Sequence, residues 1–185
     1  GVPTFWRSLS RDSIPDPKLH TIIKMADIIS PWTVGRYRTS DQAKQHVEKT
    51  VKPDLAWCKE RKIDYLPVIF PGFSWQNLKA ARDEKAVFNQ IPRQGGQFFW
   101  SQARHLHTAG AEMLYVAMFD ELDEGTAIFK TRNDPPVGKS RFLAEKDLPS
   151  DHYLWLTGQI RNQIQPSKKP SGHIFPEDPP QRVNE

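Results

Sequence analysis

Residues 113–119, MLYVAMF, are apolar at every position, and VIF at 68–70 repeats the pattern. A strand with one wet face alternates apolar and polar side chains, whereas an unbroken apolar strand is buried on both faces, as in a parallel sheet covered by helices. Parallel neighbours need a long crossover, and an amphipathic segment lies between the two runs. It extends from about Gln97 to Thr108, with Phe99, Ala103 and Leu106 at helical spacing. This pairing of buried strand with amphipathic helix predicts an α/β chain.

The same alternation extends through the sequence. Residues 2–6 read as a first strand, and 16–26 as a helix with Leu19, Ile22, Ile23 and Ala26 on one face. Residues 28–34, IISPWTV, give a second strand. A helical segment opens at Ser40 and Asp41, both N-cap candidates, and Pro53 is expected to break or restart it before residue 62. The third strand covers 65–70 and runs into a Gly-, Pro- and Asn-containing loop that reaches Pro92. After the fourth strand at 113–119 and a long loop, residues 151–164 form a last helix with Tyr153, Leu156, Ile160 and Ile164 facing inward. The expected domain spans 1–165, and 166–185 is a Pro-rich irregular tail. Four strand–helix units are half of what a (β/α)8 barrel needs, typically eight units in roughly 250 residues. A small open sheet and half of a barrel both fit.

Composition narrows the function classes. No apolar run approaches the roughly 18–20 residues of a membrane span, and basic residues are interspersed with acids for a net charge of +4, so neither a membrane nor a nucleic acid is the expected partner. Cys58 is the single cysteine, which rules out an internal disulfide and a multi-cysteine zinc site. His105 and His107 are two residues apart and diverge on a helix, so no metal and no cofactor is expected. The chain opens GVPTFWRSLS, in strand-like residues with no Met, from which preceding material is expected.

Chemistry concentrates after the strands. In a parallel barrel the active site is built from the loops at the strand C-terminal ends. Here those loops carry Trp6 and Arg7; Trp32 and Arg36; Phe73, Trp75, Gln76 and Asn77; Arg93; and the acids Asp120, Glu121, Asp123 and Glu124. Glycoside hydrolysis uses two carboxyl groups, one to protonate the leaving oxygen and one as nucleophile or base, about 5–9 Å apart. Glu121 and Glu124 are three residues apart around Gly125, which permits a tight turn, and two close carboxylates favour retention of a proton on one of them. Read alone, E-x-x-E also fits a solvated acidic loop. The aromatic residues Trp6, Trp32, Phe73 and Trp75 would offer ring faces to a sugar, with Arg7, Arg36, Asn77, Arg93 and Asp120 contacting hydroxyls, although ordinary packing suits each aromatic taken singly.

These residues carry a resemblance. FDELDEGTAIF resembles the F-N-E-W-x-E-G-T signature of glycoside hydrolase family 99 and of related family 71/99-like proteins, and GVPTFWR, SPWTVGRY, LPVIFPGFSWQNL and IPRQGGQFFW are similar to further blocks of that group. The resemblance covers most of residues 1–160. It implies the C-terminal half of a (β/α)8 catalytic domain, completed by an N-terminal half, and a secreted or periplasmic setting. It also implies an α-linked oligo- or polysaccharide substrate and a retaining mechanism in which Glu121 deprotonates the sugar 2-hydroxyl to give a 1,2-anhydro sugar and Glu124 is acid, then base. Asp120 and Leu122 stand where the signature has Asn and Trp, and Asp123 adds an acid, so an α-glycosidase is a safer expectation than a mannosidase. A carbohydrate-binding protein without turnover and a WbsX-like sugar transferase are the alternatives.

Overall fold

The computed structural model describes residues 1–135, 138–165 and 174–182. Its elements are α1 (Lys18–Ile23), β1 (Ile28–Ile29), α2 (Ser40–His46), a π turn (Val47–Val51), α3 (Lys52–Arg61), β2 (Asp64–Tyr65), β3 (Val68–Ile69), α4 (Gln76–Ala80), a 3-10 turn (Gln94–Gly96), α5 (Gln97–Thr108), β4 (Tyr115–Val116) and α6 (His152–Ile164).

All the pairings among these strands are parallel. Val2 bridges Pro31, β1 pairs with β2, and β3 pairs with β4. Because β2 and β3 are consecutive, separated only by Leu66 and Pro67, the spatial order follows the chain from Val2 through β1 and β2/β3 to β4. The strands are much shorter than the apolar runs. Residues 2–6 contract to the single bridge at Val2, 28–34 to two residues, 65–70 to two pairs and 113–119 to two residues. Pro31 and Pro67 have no N–H to give to a ladder, which shortens both central strands. Pairing continues by single bonds, from Leu66 N–H to Ile29 O (2.9 Å), Tyr115 N–H to Pro67 O (2.9 Å) and Ala117 N–H to Ile69 O (2.9 Å).

The helices cover this sheet. Along α5, Phe99, Trp100, Ala103 and Leu106 are buried with Ile29, Ile69, Val51 and Cys58, and Leu156 and Ile160 of α6 join the same core. The helix from residue 16 is corrected to Lys18–Ile23. Only Ile23 of its expected inner face is buried, while Ile22 and Ala26 are exposed. Thr39, rather than Ser40 or Asp41, caps α2 by accepting from Gln42 N–H at 3.2 Å. Pro53 does not interrupt the helical rod: Lys52 N–H reaches Val47 O across a π turn, and this wider turn precedes the proline in the second position of α3. The loop expected through Pro92 contains α4 and an antiparallel bridge from Phe73 to Ile91. Cys58 is fully buried on α3, where burial pushes its thiol up to about 12.

The tail joins the core where it is described. Residues 166–173 and 183–185 lie outside the described residues. Within 174–182, Phe175 is buried with its ring 4.8 Å from that of Trp100, whose indole N–H donates to Pro176 O at 3.0 Å. Truncating a buried phenylalanine of this kind typically costs about 3–5 kcal/mol, so this irregular segment is a structural part of the fold. No helix among the described residues is long and apolar enough to cross a membrane.

The sheet begins at Val2, and beyond β4 at its other end Met118 exchanges main-chain bonds with Thr126 and Ile128. Ile22 of α1, Met25 just after it and Ile28 of β1 are exposed, as are Tyr115 of β4 and Phe119 and Leu122 beyond it. Unpaired edges with apolar flanks are templates for association. The 185-residue chain alone is therefore expected to sediment above monomer mass, and Ile28→Lys with Tyr115→Lys to shift it toward monomer. A monomeric wild type by analytical ultracentrifugation would show that these edges are already protected.

Candidate active site

The acidic turn begins where β4 ends. Thr126 N–H (3.1 Å) and Ala127 N–H (2.9 Å) donate to Glu121 O, and Gly125 N–H donates to Leu122 O at 3.0 Å. This tight reversal needs Gly125, which has φ 67°, a left-handed conformation, and where an added Cβ would collide with Leu143. Residues beyond the turn fold back on β4, with Ile128 N–H bonded to Met118 O at 3.1 Å. The preceding loop is tied in through Ser74 N–H, which donates to Glu124 O at 2.7 Å. Thus loops after β3 and β4 meet at Glu124.

The two glutamates differ in environment. The Glu121 carboxylate accepts from Asp123 N–H at 3.1 Å. Glu124 is half-buried, and its carboxyl is held above the usual carboxylate range, first by burial and then by repulsion from Glu121 and Asp123. A raised proton affinity on one of two neighbouring carboxyl groups is an asymmetry of the kind that acid/base chemistry uses. Asp120 is exposed next to Glu121.

The other expected site residues differ in exposure and in partners. Trp32 lies 42% exposed after β1, an available ring face, and Thr33 beside it donates to Val68 O at 2.8 Å. Trp75 is half-buried, with its indole against Gly35 and its ring 4.3 Å from that of Phe73. These link the loops after β1 and β3. Asn77 donates to Arg141 O at 3.1 Å, so its amide helps hold the loop that follows β4.

Trp6 and Phe73 are corrected: both are buried, Trp6 edge-on to Trp57 at 4.8 Å, and neither offers a face to a ligand. An indole and a phenyl ring bury large apolar areas, and here the core takes them. Arg7 and Arg36 are engaged in ion pairs. Arg7 Nε bonds Asp54 at 2.6 Å, where burial pushes the carboxyl up to about 6 against the lowering effect of Arg7. Arg36 bonds Asp12 and the Thr4 hydroxyl (2.9 Å). Burial raises Asp12, but the N–H groups of Phe5 and Thr4, the Thr4 hydroxyl and Arg36 outweigh it and hold the carboxyl low. Arg93 donates to Gly125 O from Nε (3.1 Å) and Nη2 (2.8 Å), and from Nη2 to Ala127 O (2.6 Å), so its guanidinium binds the turn.

Sequence reading missed Ser74 and Tyr153. Tyr153 was placed in the core, but its ring also stacks under the Arg93 guanidinium at 4.4 Å. A cavity of about 30 Å3 lies here, lined by Arg93, Glu145, His152 and Tyr153 among others. It has room for about one water.

The described fold is a mixed α/β architecture. Two solved structures of the glycoside hydrolase family 99 endo-α-mannosidase from Bacteroides thetaiotaomicron are similar to it. One, in complex with BIS-TRIS-propane, has TM-score 0.58 and 19% identity over 75% of this chain and 40% of that one. The other has TM-score 0.59 and 18% identity over 88% of this chain and 43% of that one. The chain thus spans about two-fifths of the length of these structures. No family model matches the sequence. No curated protein matches it either.

Because repulsion from Asp123 contributes to the high proton affinity of Glu124, Asp123→Asn is expected to lower the Glu124 titration midpoint, read by carbon-detected NMR of labelled glutamate. The sign for stability follows. With its folded pKa raised, Glu124 contributes stability below its unfolded pKa, and this is lost as pH rises through the folded value. Asp123→Asn should reduce that loss. An unmoved midpoint would mean that Asp123 is fully screened.

Proposed function

We propose that this chain carries the catalytic carboxyl pair of a retaining glycoside hydrolase acting on α-linked glycans. The observation that carries the reading is the acidic turn itself. It places Glu124, with raised proton affinity, beside Glu121 at the C-terminal end of the fourth parallel strand, on a fold similar to part of an endo-α-mannosidase.

Glu121 takes the proton of the sugar 2-hydroxyl, and the freed oxygen attacks the anomeric carbon as the glycosidic bond breaks, giving a 1,2-anhydro sugar. Glu124 delivers its proton to the departing oxygen. In the second half-reaction Glu124 takes a proton from water, which opens the three-membered ring, and Glu121 returns a proton to the 2-oxygen. The net stereochemical result is retention. Desolvation around Glu124 suits the first role, because it raises the proton affinity of the group that acts as the acid. Trp32 presents the exposed ring on which an apolar sugar face would stack.

The four units form the C-terminal half of a (β/α)8 barrel in this reading. The exposed apolar side chains on β1 and β4 and the two-fifths coverage of the similar structures both support it. A barrel removes its edges only by closing, so strands from an N-terminal half would pair with Val2 and with β4.

The test is Glu124→Gln in the closed-barrel protein, assayed on a panel of α-mannans and α-glucans. General acid/base assistance contributes about 100- to 10,000-fold, so turnover should fall by that factor while calorimetric sugar binding persists. Binding with no wild-type turnover would replace the hydrolase by a carbohydrate-binding protein. Sugar transfer to an acceptor in preference to water would replace it by a transferase.

A further inference from the structure

The acidic turn has three main-chain carbonyls that face inward, at Glu124, Gly125 and Ala127, and all are met by donors from the segment after β3. Ser74 N–H meets the first. One guanidinium meets the other two, with Nε and Nη2 both directed at the turn. This planar edge is the feature that lysine lacks, since an ammonium is a point charge on a flexible stem.

The rest of the Arg93 side chain is equally constrained. Its stem runs against Gly72, where an added Cβ would stand 2.7 Å from Arg93 Cγ and 2.7 Å from Ile91 O. Its far face lies over the Tyr153 ring of α6. Burial loosens its hold on its proton, while Tyr153 and Glu145 strengthen it. The cation therefore stands in a packed slot between the acidic turn and α6, rather than at the mouth.

Building on the hydrolase reading above, we infer that Arg93 is a positioning residue, whose guanidinium fixes the Glu121–Glu124 turn through the carbonyls of Gly125 and Ala127. It touches no substrate. It acts by holding the backbone from which both carboxyl groups project, and a displacement of about 1 Å in such a group can lower turnover by about 100-fold.

The experiment compares Arg93→Lys and Arg93→Met with wild type in the closed-barrel protein, by urea unfolding, by amide exchange, and by kcat and KM on whichever panel glycan the wild type cleaves. The amides of Gly125, Thr126 and Ala127 are bonded within the turn and report on it directly. In both variants they should exchange at least about tenfold faster while α5 stays protected, and kcat should fall by about 100-fold with KM within about twofold. Lysine keeps the charge and the stem length but not the fork, so Arg93→Lys should resemble Arg93→Met. Arg93→Lys at wild-type exchange and turnover overturns the inference. So does a raised KM at unchanged kcat, which would mark a sugar contact, or equal loss of protection in α5 and α6, which would mark a general packing role. If the wild type cleaves no glycan, the hydrolase reading fails, and the exchange comparison still decides whether Arg93 holds the turn.

Discussion

Buried main-chain carbonyls and N–H groups need partners, and strands only two residues long supply few of them. Side chains from neighbouring units make up the difference. Thr33 bonds Val68 O. Gln102 of α5, itself buried, accepts from Phe70 N–H at 3.3 Å and donates to Phe70 O at 2.8 Å. Ser74 and Arg93 then satisfy the carbonyls of the acidic turn. This line of cross-links runs along the C-terminal ends of the strands, the same ends at which the acids project. The backbone that would otherwise be unsatisfied is the backbone that carries the acids.

The electrostatics follow from that placement. Glu124 is half-buried, with its carbonyl tied to Ser74, and desolvation, more than repulsion, raises its proton affinity. Glu121, three residues earlier, has an N–H donor on its carboxylate. The difference between the two carboxyl groups is therefore a consequence of local backbone geometry. Leu122 is exposed between them, so the turn offers a smaller apolar surface there than the tryptophan of the resembled signature would.

Helices were legible in the sequence to the extent that their apolar spacing was regular. Gln97–Thr108 agrees in both bounds, and His152–Ile164 agrees to within one residue, because Phe99, Ala103, Leu106, Tyr153, Leu156 and Ile160 do face the core. Strands were legible in place but not in length. An apolar run such as 113–119 records burial, whereas pairing depends on a neighbour with free main-chain groups, and Pro31 and Pro67 interrupt this. The acidic turn was legible because Gly125 and its neighbours form a local motif. The role of Arg93 was not, because its partners are carbonyl oxygens 32 and 34 residues away, which carry no side-chain signature. Nor does sequence alone distinguish a tryptophan at a mouth from one in a core: Trp32 and Trp6 lie in similar loops with opposite outcomes.

The central claim is that Glu121 and Glu124 form one hydrolytic pair working through an anhydro-sugar intermediate. The most direct measurement is proton NMR of the first-formed product when the closed-barrel protein acts on an α-linked mannan or glucan oligosaccharide, before the new reducing end mutarotates. The α-anomer appearing first, and lost together with turnover in Glu121→Gln, is the expected result. The β-anomer appearing first, or undiminished cleavage by Glu121→Gln, would contradict it.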